Sequence, residues 1–209
     1  MKKFLALVLS MLLVASCFAL VAVATEETTV AGEETTEGEA SAYSNTLLTF
    51  NEDAKGKKVL TSPNGIHKSF YNAEEWEGAK LKITDPGDPY VYINWSTYIK
   101  KASLENVDSQ AYPFVVVKLK VDGYVDDFEL FYCAGSIAGA DPTYATQTDY
   151  PCDCTGEVEY IIYDLTDDCE GNYNQFRLDP MGADEETVVY LYEIALFATE
   201  EEAIAYAGV

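Results

Sequence analysis

Short runs alternating apolar and polar residues recur along the chain, with the period of two that marks half-buried strands. The clearest is P-F-V-V-V-K-L-K-V, residues 113–121, whose β-branched content predicts a central strand. Residues 47–50, 59–60, 81–84, 90–95, 128–132, 157–165, 174–179 and 187–198 read as further strands. Turn chemistry separates them. Pro63-Asn64-Gly65, Asp85-Pro86-Gly87-Asp88-Pro89 and Asp122-Gly123 cannot continue a strand. Residues 74–78 read as a loop holding Trp76, and residues 98–107 fit a helical turn. Residues 135–153 mix Gly, Pro, Thr and Tyr in a long loop, and residues 166–172 form an acidic turn. Thr199 with Glu202 three residues on is a capping-box start for a short helix.

Eight or nine short strands with almost no helix predict an all-β fold: a two-sheet antiparallel jelly-roll β-sandwich with a short C-terminal helix. Residues 175–205 carry the strongest strand pattern. They read as two neighbouring strands joined by an acidic turn and followed by that helix. Arg177, the chain's only arginine, lies there. Alternation puts Phe176 and Leu178 on one face and Gln175, Arg177 and Asp179 on the other. Arg177 is expected to pair with Glu193 on the neighbouring strand, with a concave ligand face as the alternative.

The first residues differ in kind. Lys2 and Lys3 precede an apolar run over residues 4–24 that ends in Ala22-Val23-Ala24, the pattern of a secretory signal peptide. Val14-Ala15-Ser16-Cys17 is similar to a lipobox, so lipidation at Cys17 is the alternative, with a lipid-anchored rather than a secreted product. An uncleaved membrane anchor is a third reading. Residues 25–42 are rich in Thr, Glu and Gly and read as an acidic disordered linker; residues 43–209 are left as one sandwich domain.

Charge narrows the partners. The formal balance is −23, from 13 basic and 36 acidic residues. Such a chain repels nucleic acid phosphates and anionic headgroups, which argues against nucleic acid and, lipidation aside, against membrane. Beyond the leader lie Cys133, Cys152, Cys154 and Cys169. An even number in an exported chain implies two disulfides. Cys152 and Cys154 are too close to prefer each other, so each is expected to bond one of the other two. Zinc does not fit the Cys-x-Cys spacing, and reduced thiols are the alternative in an anaerobe.

Asp88-Pro89-Tyr90, residues 114–121, 128–132 and 160–165, Phe176-Arg177-Leu178-Asp179-Pro180 and residues 194–203 together resemble secreted jelly-roll modules of gut and rumen Clostridia. Those are similar in fold to galactose-binding-like carbohydrate-binding modules, and the resemblance covers nearly all of residues 43–209. It implies binding of a polysaccharide or cell-surface glycan through aromatics and polar groups on one sheet face or its loops. No ligand residue carries over from it. The aromatic supply nominates Trp76, Tyr144, Tyr150 and Tyr173 in loops, and Tyr92, Trp95, Gln175 and Arg177 on strands, with core packing the alternative for Tyr92 and Trp95. The resemblance also implies a structural calcium, for which Asp164, Asp167, Asp168 and Glu170 offer hard oxygens; no other cofactor is expected. Catalysis is not expected. A hydrolytic triad would have to use His67, the single histidine, and Gly135-Ser136 lacks the nucleophile-elbow pattern. The expected function is a non-catalytic extracellular binding module. The alternative is a cell-surface structural or protein-interaction domain without a small ligand.

Overall fold

The computed structural model describes residues 45–50, 58–73, 76–134, 154–166 and 170–209. All of them belong to one compact unit, Glu39–Val209. The readings made of the leader, of Cys17 and of the linker lie outside the described residues.

In chain order the strands are β1 (Leu47–Thr49), β2 (Leu60–Asn64), β3 (Ile66–Ala73), β4 (Trp76–Ile83), β5 (Tyr90–Ile93), β6 (Phe114–Asp122), β7 (Asp127–Ala134), β8 (Val158–Asp164), β9 (Tyr173–Met181) and β10 (Val188–Phe197). Helix α1 (Trp95–Ala102) follows β5, and α2 (Glu200–Ala207) follows β10. Every pairing is antiparallel. One sheet has six strands, in the order β3-β4-β10-β6-β8 with β1 also on β10. The other has four, in the order β2-β5-β9-β7. This is the expected two-sheet jelly-roll sandwich with a short helix at the C-terminal end.

Period-two burial builds the layer between the sheets. Val115, Val117, Leu119 and Val121 of β6 are at most 1% exposed, and so are Phe176 and Leu178 of β9 and Phe128 and Leu130 of β7. A second, smaller cluster lies where α2 covers one end of the large sheet's outer face. There Ala203 packs with Phe114 and Val116. Thr199 caps α2 by accepting from the Glu202 amide at 3.2 Å, and Glu202 returns a carboxylate to the Ala198 amide, close to the capping box expected.

Four expectations are corrected. First, β9 and β10 are not neighbours: they lie in opposite sheets. Second, β5 stops at Ile93. The Asn94 side chain then accepts from the Thr97 amide at 3.0 Å and starts α1, so Trp95 opens a helix rather than closing a strand. The signal was present, since Trp95, Tyr98 and Ile99 share one face at i, i+3 and i+4 and all three are buried. Third, residues 63–65 are less a turn than a switch of sheets. Pro63 and Asn64 stay in β2, and Gly65, at φ +58°, passes the chain to β3. A Cβ there would meet the Asp85 carbonyl at 2.3 Å, so glycine is required. β3 escaped notice because Lys68 occupies an inward position between Ile66 and Phe70. Its stem is part-buried, and its ammonium donates to the Leu60 carbonyl. Fourth, Trp76 opens β4 opposite Ala73 rather than sitting in a loop.

Trp95 is fully buried, edge-on to Phe176 at 5.6 Å and to Tyr98 at 5.5 Å. Replacing it with alanine is expected to cost about 3–5 kcal/mol of stability in urea denaturation. A loss below about 1 kcal/mol would contradict its core placement.

Candidate functional site

The outer face of the four-stranded sheet gathers aromatic and charged groups around Arg177. With Phe176 and Leu178 held in the core, alternation turns Arg177 outward on β9. Register then sets its neighbours. Tyr92 of β5 lies opposite on one side, and Phe131 of β7 on the other. Thr61 of β2 follows Tyr92 in the same row. In the adjacent row Glu129 of β7 lies opposite Asp179.

Arg177 is held from several directions. Its Nε donates to Asp179 Oδ1 at 2.8 Å and its Nη2 to Asp179 Oδ2, a two-pronged charge-assisted pair. Nη2 also lies 3.4 Å from Asp88 Oδ1. The guanidinium carbon sits 4.0 Å from the Tyr90 ring centre and 5.0 Å from that of Phe131. Tyr92 stands edge-on to Tyr90 at 5.4 Å. Asp88 is tethered to β2, whose Asn64 side chain donates to the Asp88 carbonyl at 2.6 Å.

What remains unspent decides what the face can do. The phenol hydroxyls of Tyr90 and Tyr92 and the Nη1 of Arg177 have no hydrogen-bond partner among the described residues. The Asp88 side chain is 63% exposed. The face therefore offers ring surfaces, two hydroxyls, a guanidinium edge and an accepting carboxylate across three adjacent strands.

The electrostatics are unequal. Burial works against the charge on Arg177, but the Asp179 pair and Asp88 outweigh it and raise its pKa. Asp179 is 1% exposed. Burial pushes its carboxyl up to about 6, with Asp88 and Glu129 adding to the rise and Arg177 opposing it.

The nominated residues fare differently. Arg177 is at the centre, but its partners are Asp179 and Asp88, not Glu193. Glu193 faces outward on the opposite sheet, 3.5 Å from Lys118 and accepting from the Tyr206 hydroxyl at 2.6 Å. Trp95 and Tyr173 are corrected as ligand contacts. Both are buried, at 0% and 2% exposure, and Tyr173 donates to the Tyr112 carbonyl as part of β9, not of a loop. Tyr144 and Tyr150 lie outside the described residues, as do Cys152, Cys169, Asp167 and Asp168. Cys133 is on β7 opposite Gln175. The Cys154 sulfur accepts from the Val125 amide at 3.3 Å. Asp164 accepts from the amide and hydroxyl of Thr166 in a local turn, and Glu170 is exposed. No group of three potential metal ligands forms among the described residues. His67 lies on β3 opposite Lys82. Tyr90, Phe131, Asp88 and Asp179 were missed, although the alternation that exposed Arg177 applies equally to Asp179.

No protein-family model and no curated protein matches the chain. Among solved structures it is similar to the low affinity xylan binding module CBM86 of Roseburia intestinalis, at 13% identity over 75% of this chain and 96% of that one, with a TM-score of 0.46. A family 11 carbohydrate-binding module from Clostridium thermocellum, in complex with a mixed-linked tetrasaccharide, is 11% identical over 74% and 96%, with a TM-score of 0.49. A β-1,3-glucan binding CBM6 from Bacillus halodurans is 11% identical over 73% and 95%, with a TM-score of 0.44. At such identities and scores, the ligand question falls to this chain's own side chains.

The buried carboxyl has a signature. Unfolded, Asp179 titrates near the ordinary carboxylate value; folded, it titrates near 6. The folded state thus holds the proton more tightly. The group's contribution to stability is complete below about pH 4 and is lost as pH rises through about 6. Relative to Asp179→Asn, the wild type should gain about 2 kcal/mol between about pH 7 and about pH 4 in paired urea titrations. A constant difference across that range would contradict the raised value.

Proposed function

We propose that this chain is an extracellular, non-catalytic carbohydrate-binding module whose ligand lies across the outer face of the four-stranded sheet. The carrying observation is the Arg177 cluster, with Tyr90, Tyr92 and Phe131 around a guanidinium fixed by Asp179 and Asp88. Sugars present apolar C–H faces and hydroxyl edges together. Rings meet the first by contact, and fixed donors and acceptors meet the second. A sheet face holds these groups rigidly, so little side-chain freedom is lost on binding.

The same geometry favours holding over cleaving. Glycoside hydrolysis needs a carboxylic acid within reach of the leaving oxygen. Asp179 has the raised pKa such an acid requires, but it is 1% exposed beneath Arg177 and cannot reach a glycosidic bond. Asp88 is exposed, and it lies against the same guanidinium. Export is supported by Lys2-Lys3, the apolar run after them and Ala22-Val23-Ala24.

Affinity electrophoresis against a panel of plant and cell-wall polysaccharides tests the reading, with calorimetry on the polymer that retards the protein. Tyr90→Ala and Tyr92→Ala should each weaken binding by about tenfold while the thermal midpoint stays within a few degrees. Wild-type affinity in both variants, or no retardation by any polymer, would refute it.

A further inference from the structure

The opposite face of the sandwich has the reverse electrostatic character. The chain as a whole carries −23, yet the outer face of the six-stranded sheet collects Lys80 and Lys82 on β4 and Lys118 and Lys120 on β6. Strand β10 runs between the two lysine pairs. Its Tyr190 lies directly opposite Lys80 on one side and Lys120 on the other. The two ammonium groups sit 5.8 and 5.5 Å from the centre of that ring. One step along, the Lys118 ammonium lies 5.7 Å from the Tyr160 ring and 5.9 Å from that of Tyr192. The result is a tyrosine lane flanked by lysine and open at Tyr190; Tyr192 is only 8% exposed, and Tyr160 packs against Tyr206 of α2 at 6.0 Å. At strand spacing its borders stand roughly 9–10 Å apart, measured between backbones.

Three of these four cations have carboxylate partners within the protein. Lys82 meets Glu186, Lys118 meets Glu193 and Lys120 meets Asp122, and Glu186 is 70% exposed at the rim. The Lys82–Glu186 pair, at 38% and 70% exposure, exchanges partners at little cost, whereas Lys118 and Glu193 are held more firmly at 28% and 21%. Lys80 has no carboxylate partner among the described residues. The long-range negative field of the chain is screened beyond about 8 Å at physiological salt, so the local lysines decide what settles on the lane.

We propose that this face is a second binding surface, for a linear uronic-acid polysaccharide lying along β10. A flat, two-fold ribbon of sugars turns each successive ring over, so its carboxylates leave alternate edges. Such a chain would address Lys80 of β4 and Lys120 of β6 in turn, across Tyr190. An acidic peptide fits less well. Peptides that dock on sheets do so at an edge, where their amides find partners. Laid across a face, a peptide would have none.

Calorimetry with oligomeric polymannuronate and with the matching uncharged mannan tests this on the full-length protein. The uronate is expected to bind and the mannan not to bind at this face. Lys80→Gln combined with Lys120→Gln should weaken uronate binding by about tenfold. The same double variant should keep the wild-type melting temperature, and its affinity for any neutral glycan held by the Tyr90 face should be unchanged. Wild-type uronate affinity in the double variant, or no uronate binding at all, would overturn the proposal. So would equal binding of polyglutamate, which would make the face a general anion surface. Self-association that the double variant abolishes would assign the face to a second copy of the chain and overturn it as well.

Discussion

The apolar layer between the two sheets is the constraint from which the rest follows. Phe176 and Leu178 reach it from β9, Phe128 and Leu130 from β7, and Val115, Val117, Leu119 and Val121 from β6. A strand has only two faces, so each residue committed inward commits its neighbours outward. A slip of one residue in β9 would turn Arg177 and Asp179 into the apolar layer and Phe176 and Leu178 out of it. The cost of such a slip is what holds the register, and the register is what builds both outer faces.

On the four-stranded sheet, this geometry creates a charged group with almost no access to water. The Arg177 side chain is 12% exposed and that of Asp179 is 2% exposed. Both are outward residues, yet the rings of Tyr90 and Phe131 close over the guanidinium and the guanidinium closes over the carboxylate. A buried pair of this kind contributes little net stability, because desolvation offsets most of the attraction. Its value is geometric. It fixes a planar donor in one orientation between aromatic rings, and the Nη1 of that donor has no partner among the described residues.

The two outer faces then divide the molecule's charge. One holds the single arginine amid carboxylates at Asp88, Asp179 and Glu129. The other holds four lysines interleaved with tyrosines, with α2 covering the end near Phe114 and reaching Tyr160 and Glu193 through Tyr206. The separation is imposed by the core, since the two faces point away from each other across it. Ligands of different charge could therefore be held without competing for the same residues.

Local patterning in the amino-acid sequence was enough for the fold class, for most strand positions, for the Thr199 cap of α2 and for the outward placement of Arg177. Each depends on spacing within a single element: two residues for a strand, three for a cap. The sequence also carried the signal for α1 in the buried face of Trp95, Tyr98 and Ile99, though the preceding strand run obscured it. What the sequence could not supply is which strands become neighbours. β9 and β10 follow one another along the chain and read as a pair, yet the connection between them crosses from one sheet to the other. That crossing carries Glu193 away to Lys118 and brings Asp88, Tyr90 and Phe131, from distant segments, to Arg177. Strand adjacency is settled by how the ten strands of the described residues share one apolar layer, a property that no local run of residues encodes.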